Sequence, residues 1–151
     1  MTITTNKLNK YLMLKIPSAW LCGVRAEAID EDTCKVSVKH KWINQNPFKS
    51  MYFAVQAMAA ELSTGAIIMG KIQKTNRSIS MLVAQNKAQF TKKATGKISF
   101  YCYDGHLIDK VIQKTIATGE GQTFWMKATG INNTGEQVSV FEFEWTIKLK
   151  P

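Results

Sequence analysis

Residues 46–70 form the stretch around which the rest of the chain has to be built. From Ser50 to Gly70 a single formal charge appears before the end of the run, on Glu61. Tyr52, Val55, Ala59, Leu62, Ala66 and Met69 recur at three- and four-residue steps, as one face of a helix requires. The opposite side, with Phe53, Ala57, Ala60, Thr64 and Ile68, is no wetter. A helix that is apolar all round is either a membrane span or the centre of a soluble core. About 20 apolar residues suffice to cross a bilayer. A carboxylate in mid-span, however, costs roughly 2.5–3.5 kcal/mol even on the lenient insertion scale, and Gln56, Ser63 and Thr64 add to that cost. The expectation is a buried core helix and no membrane span.

The flanking chain supplies candidate cover. Thr5 or Asn6 can cap a short helix that runs through Ile16, with Leu8, Tyr11, Leu12 and Met13 as its sticky side and Pro17 as its stop. Residues 19–29 read as a strand, 30–33 as a polar turn, and 34–40 as a strand with Cys34, Val36 and Val38 on one side and Lys35, Ser37 and Lys39 on the other. After the long helix, 71–77 is a polar connection and 78–90 a long strand. A basic turn at 91–96 leads to a strand at 97–103. Residues 106–118 are ambiguous between helix and strand. Strands at 122–131 and 137–149, separated by Asn132-Asn133-Thr134-Gly135, end the chain. The short turns predict antiparallel neighbours. At 151 residues this is one domain, 1–151, with residues 1–17 packed on it as a helical segment.

Composition excludes little but helps to narrow the classes. The three cysteines, Cys22, Cys34 and Cys102, are odd in number and widely spaced, with no CxxC pair. They read as buried reduced thiols of a cytoplasmic protein, and no metal site is expected. The N-terminal residues lack a small-residue cleavage site and do not read as a signal peptide. A formal net charge of +9 favours anionic ligands. The lysines are scattered, and no nucleic-acid recognition signature lies among them, so no nucleic-acid partner is expected.

A helix apolar on every side needs cover on most of its circumference, and a strongly twisted antiparallel sheet can curl around it. The fold class is therefore α+β, an antiparallel sheet wrapped around one long central helix: the hotdog. Residues 46–61, the hairpin before them and the long strands after them resemble the hotdog-fold acyl-coenzyme A thioesterases. The similarity is nearest to the small phenylacetyl-type branch and its uncharacterised relatives. Asn46 stands fifteen residues before Glu61, the spacing of that family, and Ala60-Glu61 falls where an Ala-Asp pair is expected. Phe90, Lys92-Lys93-Ala94 and Gly96 resemble the strand and turn that pass the coenzyme A tail. Gly135-Glu136-Gln137-Val138 resembles the last hairpin. At the helix entry the family's His-Gly-Gly is replaced by Tyr52-Phe53-Ala54, which puts side chains where glycine would let a thioester approach the backbone.

The resemblance implies thioester hydrolysis at a seam between subunits, in a homodimer or a dimer of dimers (a homotetramer). It implies Glu61 and Asn46 as catalytic residues, with Glu61 activating water and Asn46 orienting the water or the carbonyl. Tyr52, Phe53 and Ala54 would meet the substrate, the N–H groups of Phe53 and Ala54 polarising its carbonyl. Lys92 and Lys93 would meet coenzyme A phosphates. No cofactor is implied beyond coenzyme A as part of the acyl-CoA substrate. Each residue also fits a plainer role. Asn46-Pro47 is a good cap and first-turn pair. Glu61 fits a buried carboxylate paired with a lysine or with Gln56. Tyr52 fits a pocket wall, and Lys92-Lys93 a solvated turn. A non-catalytic acyl-binding hotdog protein is the alternative function. A hydratase is disfavoured because no histidine lies within 46–70.

Overall fold

The computed structural model describes residues 2–151. Helix α1, Thr5–Lys15, starts one residue earlier than a Thr5 cap would require, because the Thr4 hydroxyl accepts from the Lys7 N–H at 3.3 Å. Pro17 does not stop the chain's helical course but opens a second helix, α2, Pro17–Leu21. Proline suits a first helical position, where its missing N–H would have had no partner. The predicted strand at 19–29 therefore shrinks to β1, Arg25–Ile29, after a turn in which Gly23 adopts a φ of 93°. β2 is Cys34–Lys39, and its hairpin pairing with β1 is as expected.

The central helix α3, Phe53–Lys74, begins three residues later and ends four residues later than its apolar run. Its extension into the polar connection is held by Lys71, which is buried and donates to Asp109 at 2.6 Å and Asp32 at 3.1 Å. The chain then forms β3, Ile79–Phe90, and β4, Lys97–Cys102. The ambiguous segment is a helix, α4, Ile108–Thr118, burying Ile108, Ile112 and Thr115 and closed by Gly119 at a φ of 72°. β5, Gln122–Ile131, and β6, Gln137–Leu149, match their sequence reading. Cys34 and Cys102 are buried, but Cys22 is only half-buried, against the expectation of three buried thiols.

The six strands form one antiparallel sheet in the order β1-β2-β4-β5-β6-β3. Consecutive strands β3 and β4 are not neighbours, although only a short turn joins them. That link crosses the end of the curled sheet. Thr91 N–H donates to Val138 O, Ala94 O accepts from Met51 N–H, and Gly96 O accepts from His40 N–H. The sheet wraps α3, whose residues Ala59, Ala60, Leu62, Ser63, Thr64, Ala66, Ile67 and Ile68 are buried. Phe141, Phe143, Trp145 and Ile147 of β6 face them, and Trp145 Nε1 donates to Thr64 Oγ1 at 3.0 Å. α3 is thus long and apolar enough to cross a membrane, yet it forms the core of this fold.

The two sheet edges differ. On β1, the Asn9 side chain of α1 makes both bonds a strand would make to Ala26, accepting from its N–H at 2.9 Å and donating to its O at 3.0 Å. Such a plug protects an edge from pairing with another chain. β3 has only β6 beside it, and residues 84–90 are exposed apart from their pairing with β6. Asn86 and Ala88 pair with Phe143 and Phe141 and so share their concave face. α3 lies over β1, β2, β4, β5 and β6 and leaves this part of β3 bare.

Candidate functional site

The loop that feeds α3 is closed on itself by Asn46. Its Oδ1 accepts from Phe48 N–H at 2.9 Å and Ser50 N–H at 3.2 Å, and its Nδ2 donates to Ser50 Oγ at 3.0 Å. Asn46 N–H donates to Ser50 O, and Tyr52 N–H to Asn44 O. The Asn46 side chain therefore shapes the entry loop. It does not cap α3, whose cap position is Tyr52 and carries no side-chain hydrogen bond. The N–H groups of Phe53 and Ala54 are left as open donors, as at any uncapped helix start.

A cleft of about 580 Å³ opens at this start. It brings together five of the seven residues singled out from sequence: Asn46, Tyr52, Phe53, Lys92 and Lys93. Its aromatic wall is continuous. Tyr52 and Phe53 pack edge to face at 5.1 Å, Phe53 and Phe90 at 6.3 Å, and Phe90 and Phe141 at 5.6 Å. The two lysines at the rim are already engaged. Lys92 pairs with Glu136, which lowers the Glu136 carboxyl to about 2, and Lys93 donates to Phe48 O at 3.1 Å.

One cleft residue was read from sequence only as a polar helix residue and a candidate partner for Glu61. Gln56 is buried one turn into α3, and its Oε1 accepts from Ser139 Oγ at 2.8 Å. That bond leaves the amide N–H₂ for the cleft. Only the pairing of α3 with β6 could have revealed this, because a glutamine in a helix carries no mark of its partner.

Glu61 and Ala54 do not line the cleft. Glu61 lies eight residues past Phe53, about 12 Å along the axis at 1.5 Å per residue. It is half-buried, and burial pushes its carboxyl up to about 7. Among the described residues no lysine, arginine or hydrogen-bond donor meets that carboxyl, and the free N–H₂ of Gln56 does not reach it either. The plainer reading of a paired buried carboxylate therefore lacks its partner. Ala54, Ala57, Met58 and Glu61, at three- and four-residue steps, are all half-buried. They form the one stripe of this helix half that the sheet leaves uncovered, running from the open N–H groups to the carboxylate. No cluster of three metal-binding side chains occurs among the described residues.

Solved structures share this arrangement of strands and helix. A Pseudomonas aeruginosa protein of unknown function, called a probable thioesterase, is 20% identical, with a TM-score of 0.87 over 99% of each chain. A thioesterase of Haemophilus influenzae is 13% identical, with a TM-score of 0.76 over 99% of this chain and 93% of its own. A Staphylococcus aureus thioesterase variant is 13% identical, with a TM-score of 0.69 over 87% of this chain and 98% of its own. No curated protein sequence matches the chain. At these identities the likeness establishes the hotdog fold of thioesterase-like proteins. Residues 4–147 match the family described as "Domain of unknown function (DUF4442)", and the chain belongs to that family.

Proposed function

We propose that the protein hydrolyses an acyl thioester of coenzyme A, with Glu61 as general base, at a site completed by a second copy joined along β3. The observation that carries this reading is the Glu61 carboxyl, raised to about 7 and left without a partner on the uncovered stripe of an apolar helix. A base with that value is half ionised near neutral pH and still basic enough to take a proton from water. An unpartnered carboxylate on a core helix costs stability and calls for a reason.

Glu61 accepts a proton from water as the water oxygen attacks the thioester carbonyl carbon. The developing oxyanion is held by the open N–H groups of Phe53 and Ala54 and the amide of Gln56 from the second copy, because those of the same chain start about 12 Å along the helix from Glu61. Collapse expels the coenzyme A thiolate, which recovers the proton from Glu61. Asn46 is a positioning residue, holding the entry loop and through it Tyr52 and Phe53. Lys93, and Lys92 once it parts from Glu136, meet the phosphates. Two Staphylococcus aureus variants carry alanine at a glutamine and at a glutamate fifteen positions apart, the separation of Asn46 and Glu61 here.

The unequal sheet edges support the dimer. Asn9 occupies β1, whereas β3 offers free backbone groups and an uncovered concave face. A second copy pairing there would bring its own residues over the stripe that ends at Glu61. The test is turnover of acyl-CoA substrates of graded chain length by the parent and by Glu61→Ala. A loss of roughly 10²–10⁴-fold in kcat is expected, and equal turnover would remove Glu61 from the mechanism. Sedimentation of a monomer at assay concentration would remove the shared site.

The half-exposed ring of Phe53, standing where the resembling family carries glycine, favours a second reading. In it the protein holds an acyl group in the aromatic cleft without cleaving it. Retention of acyl-CoA with no hydrolysis at any chain length would select this second function.

A further inference from the structure

We infer that the face carrying α2 and the loop after β2 docks on an anionic lipid surface. The first observation is exposure. Trp42 is 83% exposed, Leu21 66% and Ile43 52%, three large apolar side chains at the end of α2 and in the turn after β2. They are neighbours because Asn44, buried in the turn Trp42–Asn44, donates to Cys22 O and Lys39 O at 2.9 Å each. That side chain ties the start of the entry loop to the end of α2. Just past the same short helix, Arg25 lies 3.3 Å over the Trp20 ring and donates to Trp20 O and Val24 O, so Leu21 is presented on a braced element. Leu14, 71% exposed, sits near the end of α1 just before α2.

The second observation is charge. Residues 1–26 contain Lys7, Lys10, Lys15 and Arg25 and no acidic residue. Residues 33–60 contain Lys35, Lys39, Lys41 and Lys49 and again none. The chain has eleven acidic side chains, yet both segments that build this face exclude them. Lys35 is paired with Glu27 of β1, and the other seven basic side chains of the two segments make no ion pair among the described residues. Tryptophan and leucine beside lysines match a bilayer interface, where rings and aliphatic chains enter the headgroup boundary and ammonium groups meet lipid phosphates. A protein partner of acidic surface would use the lysines, but it would not account for a tryptophan and a leucine left so largely in water. The face lies at the β1–β2 side of the sheet, at the opposite end of the strand order from the β3 edge proposed for the dimer.

The test is co-sedimentation of the full chain with vesicles of phosphatidylglycerol and phosphatidylcholine, and with phosphatidylcholine alone. Binding to the anionic vesicles and not to the neutral ones is expected, weakening as salt is raised. Leu21→Ser combined with Trp42→Ser should weaken it by about tenfold or more with an unchanged thermal midpoint. Trp125→Ser, at an exposed ring on the outer sheet face, should leave it unchanged. No binding to anionic vesicles at low salt would overturn the inference, as would equal binding by the double variant. Trp42 shielded from a soluble quencher by self-association would overturn it too. Vesicle binding is read without substrate, so this inference and the hydrolase reading can fail separately.

Discussion

Gln56 on α3 and Ser139 on β6 meet at 2.8 Å in the buried floor of the cleft, 83 residues apart in sequence. The bond fixes which end of the carboxamide faces the cavity. Replacing Gln56 by Leu leaves the Ser139 hydroxyl buried and without an acceptor, which costs about 1–3 kcal/mol. Adding Ser139→Ala removes the orphaned group and should restore most of that stability, as read by denaturant midpoints. Turnover should stay low in both variants, because the amide that faces the thioester carbonyl is gone from each.

The Glu61 carboxyl sets a pH dependence with a definite sign. It ionises at about 7 in the folded protein and near 4.5 in an unfolded chain. Between those values the folded state binds more protons, so stability falls as pH rises through that window. At 1.36 kcal/mol per unit the full cost above it is on the order of 3 kcal/mol. Glu61→Gln should therefore raise the thermal midpoint at pH 8, leave it nearly unchanged at pH 4, and abolish turnover. Turnover of the parent should rise through a midpoint near pH 7. A Glu61→Gln protein no more stable than the parent at pH 8 would show that the charge is neutralised by a partner.

Gly65 lies one turn beyond Glu61. A Cβ there would stand 3.0 Å from the Trp145 ring and 3.4 Å from Glu61 Oε1. Alanine gains about 1 kcal/mol over glycine in an open helix interior. Here the ring is buried and held by Thr64, so it cannot retreat. Gly65→Ala should lose about 1–2 kcal/mol net, as overpacking does. A calorimetric midpoint above that of the parent would mean that Trp145 yields.

The thiols should react in two classes. Burial pushes Cys34 and Cys102 up to about 12, and the half-buried Cys22 is not so confined. A thiol reagent at pH 8 should titrate one cysteine quickly and the other two only on unfolding. Cys22→Ser should remove the fast phase alone, which stopped-flow absorbance would follow.

Much of this fold could be read along the chain. The strands at 34–40, 78–90, 97–103, 122–131 and 137–149 lie within a residue of their structural bounds. In them side chains alternate between the two faces of the sheet, broken only by the register shifts at 83–85 and 130–131, and that period belongs to the extended backbone itself. The errors fall where one residue type serves two roles. Pro17 suits both the stop and the start of a helix. Lys71 looks like a surface residue until Asp32 and Asp109 surround its ammonium.

The candidate site divides in the same way. Sequence by itself determined that the apolar helix within residues 50–70 belongs in a core and that Glu61 is the lone acid on it, because hydrophobicity belongs to each side chain. Only the tertiary structure decided which polar groups keep a free valence. Asn46 is consumed by its own loop, Lys92 by Glu136, and one end of Gln56 by Ser139, while Glu61 meets no partner among the described residues. A hydrogen bond requires about 3 Å of separation, and only the curling of the sheet brings distant segments of the chain that close.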